Sequence, residues 1–288
     1  MPELPEVETI VRELNRKVAG KKLSRFLIFD PAPFASGASR KISVRAAKGA
    51  GQVRIQSPRF SFPTRVLSVT RHGKHIVFNL DCKKHCIIHL RMTGELIYEK
   101  KPPTKPRPKN ERAALYFSDR SVLHFFDTRR FGTIKWPTHG NLPHLGAEPL
   151  SKEFNEVFLK NILERSSQKI KSFLLDQKKI AGIGNIYADE SLWTAKINPK
   201  RKADSLSVAE TKKLVSAIKN ILRKAIKMGG STIRDYRRTG GESGYYQHSR
   251  RVYDREGLPC VRCRAKIKRI KIGGRSSYFC KECQPLSK

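Results

Sequence analysis

The sequence predicts an α+β, multidomain protein: an N-terminal helix with a β-sandwich or barrel, a helical middle and a metal-bound tail. Three observations predict it. Apolar residues recur at helical spacing near the N-terminus and again after residue 150, whereas short alternating segments fill the stretch between. Four of the six cysteines form two CxxC pairs close to the C-terminus.

Residues 3–19 put Val7, Ile10, Val11, Leu14 and Val18 on one helical face. Glu3, Glu6 and Glu8 stand at the positive end of that helix dipole, and Gly20 ends it. Eight β-like segments follow, at 23–29, 65–71, 75–80, 86–90, 95–98, 114–118, 122–126 and 133–136. Residues 36–57 interrupt them with five basic residues among Gly, Ala and Ser, and are expected to bury little. Residues 99–112 carry Pro102, Pro103, Pro106 and Pro108 with six basic residues, which predicts a basic loop.

From Leu150 the pattern turns helical. Ser151 is placed as the cap of a helix bearing Phe154, Val157, Phe158 and Ile162, and a second helix is expected over 169–177. AGIGN at 181–185 is a tight turn whose backbone N–H groups can face a phosphate. Ser207 and Glu210 form a capping box ahead of a long amphipathic helix through Leu214, Val215, Ile218, Ile221, Leu222 and Ile226, which Gly229 and Gly230 end. The domains expected are 2–149, 150–245 and 246–288.

Sixty Lys and Arg against 25 Asp and Glu leave a net charge of +35. Such a chain needs a polyanionic partner, and nucleic acid fits best because each neutralised phosphate releases counterions. With 38% hydrophobic residues the chain is no disordered basic tail. No apolar run approaches the ~20 residues of a membrane span, and the N-terminus lacks a secretion signal. A soluble cytoplasmic protein without a membrane partner is expected.

Cys260-x2-Cys263 and Cys280-x2-Cys283 are sixteen residues apart, a spacing suited to four thiolates closing on one structural Zn²⁺. Cys82 and Cys86 have no second pair and read as incidental thiols. Between the pairs lies an alternating basic hairpin with Gly273-Gly274 at its turn and Arg275 just beyond, a candidate phosphate reader. Removing Met1 would leave Pro2 as a secondary amine able to attack an electrophilic sugar carbon. Glu3 and Glu6 stand beside it as proton donor and electrostatic partner, or else merely answer the helix dipole.

PELPEVET at 2–9, DTRRFG at 127–132, AGIGNIYADESLW at 181–193 and the paired CxxC motifs occur in one order. Together they resemble the formamidopyrimidine-DNA glycosylase (Fpg/Nei) family over nearly the whole chain. The resemblance implies an N-terminal helix plus β-sandwich, a helix-two-turn-helix module and a C-terminal zinc finger, with duplex DNA held in the cleft between. It implies a monomeric, bifunctional glycosylase and AP lyase of base excision repair, excising 8-oxoguanine and formamidopyrimidines. By that resemblance Pro2 is the nucleophile, Glu3 the general acid and Glu6 its acidic neighbour. Lys74 is the lysine of β-elimination and Arg275 the zinc-finger arginine linked to δ-elimination, leaving a one-nucleotide gap.

A base acted on at C1′ must be extruded from the stack, and Met92, Arg129 and Phe131 match the family's void-filling triad. Asn185 and Arg275 match the phosphate grip, with Lys171 as a further contact. Ser231, Thr232, Ile233, Arg234, Asp235 and Tyr236 resemble the loop that caps the flipped base. Three departures stand out: residues 36–57 are longer than is usual for the family, Asn110 occupies the place of a DNA-contacting histidine, and Arg91 replaces a glycine before the wedge. Two rival readings are a Nei-like enzyme for oxidised pyrimidines and a non-catalytic zinc-finger DNA-binding protein. PELPEVE argues against the first, and the Pro2, Glu3, Glu6 and Lys74 set against the second.

Overall fold

A computed structural model of the chain describes residues 1–30, 44–46, 53–55, 62–102, 108–138, 144–232 and 236–286, with the backbone alone for 44–46, 53–55 and 136–138. Ile233, Arg234 and Asp235 of the expected capping loop therefore lie outside the described residues, as do most of 36–57 and the centre of the proline-rich loop. The chain divides into two compact units, Met1–Leu142 with Gly229–Gly244, and Pro143–Met228 with Tyr245–Lys288.

The first unit opens with α1 (Leu4–Val18), whose Val7, Ile10, Leu14 and Val18 are wholly buried, as the spacing predicts. Around it run β1 (Lys22–Ile28), β2 (Val44–Ala46), β3 (Val53–Ile55), β4 (Thr64–His72), β5 (His75–Leu80), β6 (His85–His89), β7 (Gly94–Glu99), β8 (Glu111–Phe117), β9 (Val122–Asp127) and β10 (Thr133–Thr138). The strands are antiparallel in the order β10-β6-β5-β4-β1-β8-β9-β7, and β3 adds to β1 with β2 beyond it. Two halves of this path meet at the short β1–β4 pairing, Lys22↔Arg65 and Leu23↔Thr64. Both halves feed one core: Phe26, Leu115 and Leu123 from one join Phe78 and Ile88 from the other and the apolar face of α1.

Strands β2 and β3 fall within 36–57, which was expected to interrupt the strands; Val44, Val53 and Ile55 are the β-branched residues of two short strands there. The basic loop is also shorter than 99–112, because β7 takes Glu99 and β8 takes Glu111 and Arg112. The two charges at the start of β8 enter a strand because each is paired. Glu111 bonds His124 Nδ1 at 2.6 Å, while Arg112 reaches the Asp127 carbonyl at 2.7 Å and Asp30 at 3.2 Å.

The second unit contains α2 (Glu156–Glu164), α3 (Ile170–Leu175), α4 (Asn185–Thr194), α5 (Val208–Lys227) and a hairpin of β11 (Lys268–Ile272) and β12 (Arg275–Phe279). The cap of α2 is Asn155, not Ser151: its side chain accepts from the Phe158 N–H at 2.9 Å, so Phe154 precedes the helix. The capping box of α5 forms as expected, with Glu210 accepting from the Ser207 N–H at 2.9 Å.

Candidate active site

Pro2, Glu3 and Glu6 are all buried at the N-terminal end of α1. The two oxygens of Glu6 face different partners. Oε2 accepts from the Glu3 N–H at 2.8 Å, and Oε1 accepts from the Ser231 N–H at 2.7 Å. One carboxylate thus fixes both the residue beside the candidate amine and the first residue of the expected capping loop. Gly230, at φ +81, must be glycine here, since a Cβ would stand 2.9 Å from the Glu6 side chain.

The rest of 229–244 packs within this same unit rather than with the central helices. The Tyr236 hydroxyl donates to the Gly229 carbonyl at 3.0 Å, and Thr232 Oγ1 donates to the Tyr236 carbonyl at 3.0 Å. Glu13 accepts from Arg238 Nε at 2.6 Å and from the Thr239 hydroxyl at 2.7 Å. Burial pushes the Glu13 carboxyl up, but those hydrogen bonds outweigh it and hold it below the usual range. Sequence reasoning missed Glu13, although it lies one i+7 step from Glu6 on the same helix face.

Lys74 is buried in the two-residue turn that joins β4 to β5, where His72 pairs with His75. Arg71 ties that turn to α1, donating to the Gly73 carbonyl at 3.1 Å and pairing with Glu8 at 2.8 Å. Beside the turn, His75 and His89 stack edge to face at 4.6 Å. Burial, reinforced by the nearby cations, lowers His75 to about 4 and His89 to about 3, so both rings are neutral at pH 7.

Met92 and Phe131 are 38% and 52% exposed, which removes core packing as their role. Arg129 is also exposed, its guanidinium 4.9 Å from the Phe131 ring. Arg91, next to Met92, sits at φ +53, a conformation that glycine takes without strain. Its N–H donates to His89 Nδ1 at 3.0 Å, a bond a glycine keeps. Arg91→Gly should therefore raise the stability of this unit by about 1 kcal/mol, read as a higher urea midpoint at unchanged slope. An unchanged midpoint would mean that the arginine stem recovers the strain elsewhere. Asn110 accepts the Asp127 N–H on its carbonyl at 2.9 Å.

In the second unit Asn185 opens α4 and donates from Nδ2 to the Ser276 carbonyl of β12 at 2.9 Å, which sets the turn before α4 against the hairpin. Gln177, overlooked in the sequence, shapes that turn: it accepts from the Gly182 N–H and donates to the Ile183 carbonyl, at 2.9 and 2.8 Å. Arg275 lies exposed at the end of the Gly273-Gly274 turn, both glycines at left-handed φ of 53 and 76. Lys171 is corrected by the structure. It has no exposed surface, and its Nζ pairs with Asp189 at 2.6 Å and donates to the Asn185 carbonyl at 3.0 Å. It braces the start of α4 from behind rather than touching solvent.

The Sγ atoms of Cys260, Cys263, Cys280 and Cys283 all lie within 4.8 Å of one another. Separations of 3.8 Å (Cys260–Cys283) and 3.4 Å (Cys263–Cys280) are far too long for disulfides. They approach the ~3.8 Å edge of a tetrahedron with ~2.3 Å metal–sulfur bonds. Burial raises the Cys260 thiol, but N–H groups of Arg262 and Cys263 and the Trp193 ring bring it down to about 6, favouring a thiolate. The four cysteines thus fit a structural metal. Cys82 and Cys86 are free, Cys82 exposed and Cys86 buried.

Three family models match the chain: the formamidopyrimidine-DNA glycosylase N-terminal domain over residues 1–134, its H2TH domain over 145–237, and the zinc finger found in FPG and IleRS over 257–286. A formamidopyrimidine-DNA glycosylase of Desulforamulus reducens is 39% identical, with 99% of each chain covered. One from Pelotomaculum thermopropionicum is 40% identical over 99% of this chain and 100% of its own. Among solved structures, a Lactococcus lactis FPG mutant in complex with Fapy-dG-containing DNA matches with a TM-score of 0.84 and 34% identity, covering 99% of this chain and 100% of that one. The MutM (FPG) protein of Thermus thermophilus matches with a TM-score of 0.82 and 36% identity, covering 100% of both.

Proposed function

The chain belongs to the formamidopyrimidine-DNA glycosylase family, and from that premise we propose how its own residues excise an oxidised purine from duplex DNA in base excision repair. The observation that carries the reading is an N-terminal amine position, Pro2, buried with two carboxylates at the head of a helix. Once Met1 is removed, the Pro2 nitrogen attacks C1′ of the damaged nucleotide. The C1′–N bond breaks, the base leaves with a proton, and Glu3 protonates the sugar ring oxygen as the ring opens to an iminium. Lys74 assists loss of the C2′ proton and expulsion of the 3′ phosphate. A second elimination, with Arg275 on the neighbouring phosphate, releases the sugar remnant and leaves a one-nucleotide gap. Glu6 orients rather than reacts, since both its oxygens accept backbone N–H groups.

Met92, Arg129 and Phe131 fill the hole left by the extruded nucleotide, Asn185 and Arg275 hold flanking phosphates, and residues 231–236 cap the base. The four thiolates hold zinc, which supplies no chemistry beyond fixing the hairpin. The protein acts as a monomer on DNA in the bacterial cytoplasm; no described helix is long and apolar enough to cross a membrane.

Borohydride trapping tests this reading on protein whose Met1 removal is verified by mass. Duplex with 8-oxoguanine opposite cytosine should give a covalent adduct with wild type and a much weaker one with Pro2→Gly, whose primary α-amine can still form an imine. Binding without adduct or strand cut would reduce the protein to a DNA-binding module, and preferential trapping on an oxidised pyrimidine would transfer it to Nei-like substrates.

A further inference from the structure

The three wedge side chains sit on two separate loops, one between β6 and β7 and one between β9 and β10, and a single carboxylate joins the loops. Asp127, the last residue of β9, has no exposed surface. Its Oδ1 accepts from the Thr93 hydroxyl at 2.5 Å and from the Arg129 N–H at 3.1 Å, and its Oδ2 accepts from the Gly132 N–H at 2.7 Å. Thr93 Oγ1 also accepts from the Arg129 N–H at 3.2 Å. The Asp127 main chain is engaged as well, donating to the Asn110 carbonyl at 2.9 Å and accepting from Arg112 Nε at 2.7 Å.

Met92 immediately precedes Thr93, Arg129 is itself one of the two N–H donors of the second loop, and Phe131 immediately precedes the other, Gly132. The clamp thus holds Arg129 directly and the immediate neighbours of Met92 and Phe131, while all three side chains remain exposed. We infer that Asp127 is the positioning residue that locks Met92, Arg129 and Phe131 into one register before they enter the base stack. The inference rests on the wedge role proposed above. Unstacking a base step is costly in itself, and two independent loops would add their own ordering cost at the same moment. A misplacement of about 1 Å is enough to lower a rate by about a hundredfold. Asparagine cannot replace Asp127 here. Its amide has one acceptor oxygen, so its NH2 group would face a donor on whichever side it pointed.

Three variants test the clamp. Thr93→Val cuts the link between the loops and leaves Asp127 in place; Thr93→Ser keeps the hydroxyl; Asp127→Asn removes the charge. On 8-oxoguanine duplex, Thr93→Val should lower single-turnover excision by about tenfold or more, and Thr93→Ser should restore it. Cutting an abasic site in single-stranded DNA needs no wedge, so Thr93→Val should leave that rate unchanged. In Asp127→Asn, amide exchange at Arg129 and Gly132 should speed up in the free protein. Equal losses on both substrates, or undiminished duplex excision by Thr93→Val, would overturn the inference, as would unaltered exchange in Asp127→Asn. A wild type unable to cut the abasic strand would instead sink the chemistry proposed for Pro2, while the exchange arm still reads the clamp without any catalysis.

Discussion

Cys280→Ser, or complete chelation of the metal, should unfold the C-terminal hairpin while the β-rich unit keeps its own melting transition. Apart from its thiolates, the tail has a small apolar cluster built on Trp193, Val252, Ile267 and Tyr278. Structural zinc binding is worth about 10–16 kcal/mol in finger peptides, which matches or exceeds the whole ~5–15 kcal/mol stability of an ordinary domain. Serine offers no thiolate, and two buried cysteines, Cys260 and Cys280, stand at the centre of the cluster. The turn that presents Arg275 is lost with the hairpin. Affinity for lesion duplex should fall, and the slope of log affinity against log salt should become shallower by ~0.9 for each phosphate no longer neutralised. Metal analysis, near-ultraviolet dichroism and a salt series of DNA titrations check this together. Undiminished affinity after verified metal removal would contradict it.

Lys171→Met should cost about 3–5 kcal/mol, because it leaves the Asp189 carboxylate buried without its partner. Neither side chain of the pair has exposed surface. Burial already pushes the Asp189 carboxyl up to about 7 against the pull of Lys171 and of the Tyr278 N–H. The double variant Lys171→Met with Asp189→Leu should recover part of that loss, since the stranded charge is gone but the Tyr278 N–H and the Asn185 carbonyl lose these partners. Urea unfolding of the three proteins reads the cycle. A phosphate-binding role for Lys171 would give the opposite pattern: unchanged stability, weaker DNA binding and a shallower salt slope.

Periodicity placed α1, the eight main strands and α5 because each carries a full apolar face that a core can bury. The CxxC pairs were legible for a different reason, since thiolate spacing is itself the geometry of the site. What stayed hidden depended on partners distant in sequence. Lys171 looks like any surface lysine until Asp189 is folded against it. Glu111 and Arg112 looked like loop charges because His124 and Asp30 are not their sequence neighbours. Asp127 was visible within DTRRFG, but its link to Thr93 spans 34 residues and no local pattern carries it.

The long reach of Glu6 has a consequence for the newborn chain. Its partner Ser231 is 225 residues downstream, and Glu13 waits 226 residues for Thr239. At ~5–20 residues per second of synthesis, the stretch from Leu142 to Gly229 takes several seconds at least. Throughout that interval the segment that satisfies these two carboxylates has not been made. A chain ended before Ser231 therefore holds Glu6 and Glu13 without the backbone N–H groups that pin them. The hydrogen bonds that fix both carboxylates thus form only once nearly the whole chain has been made.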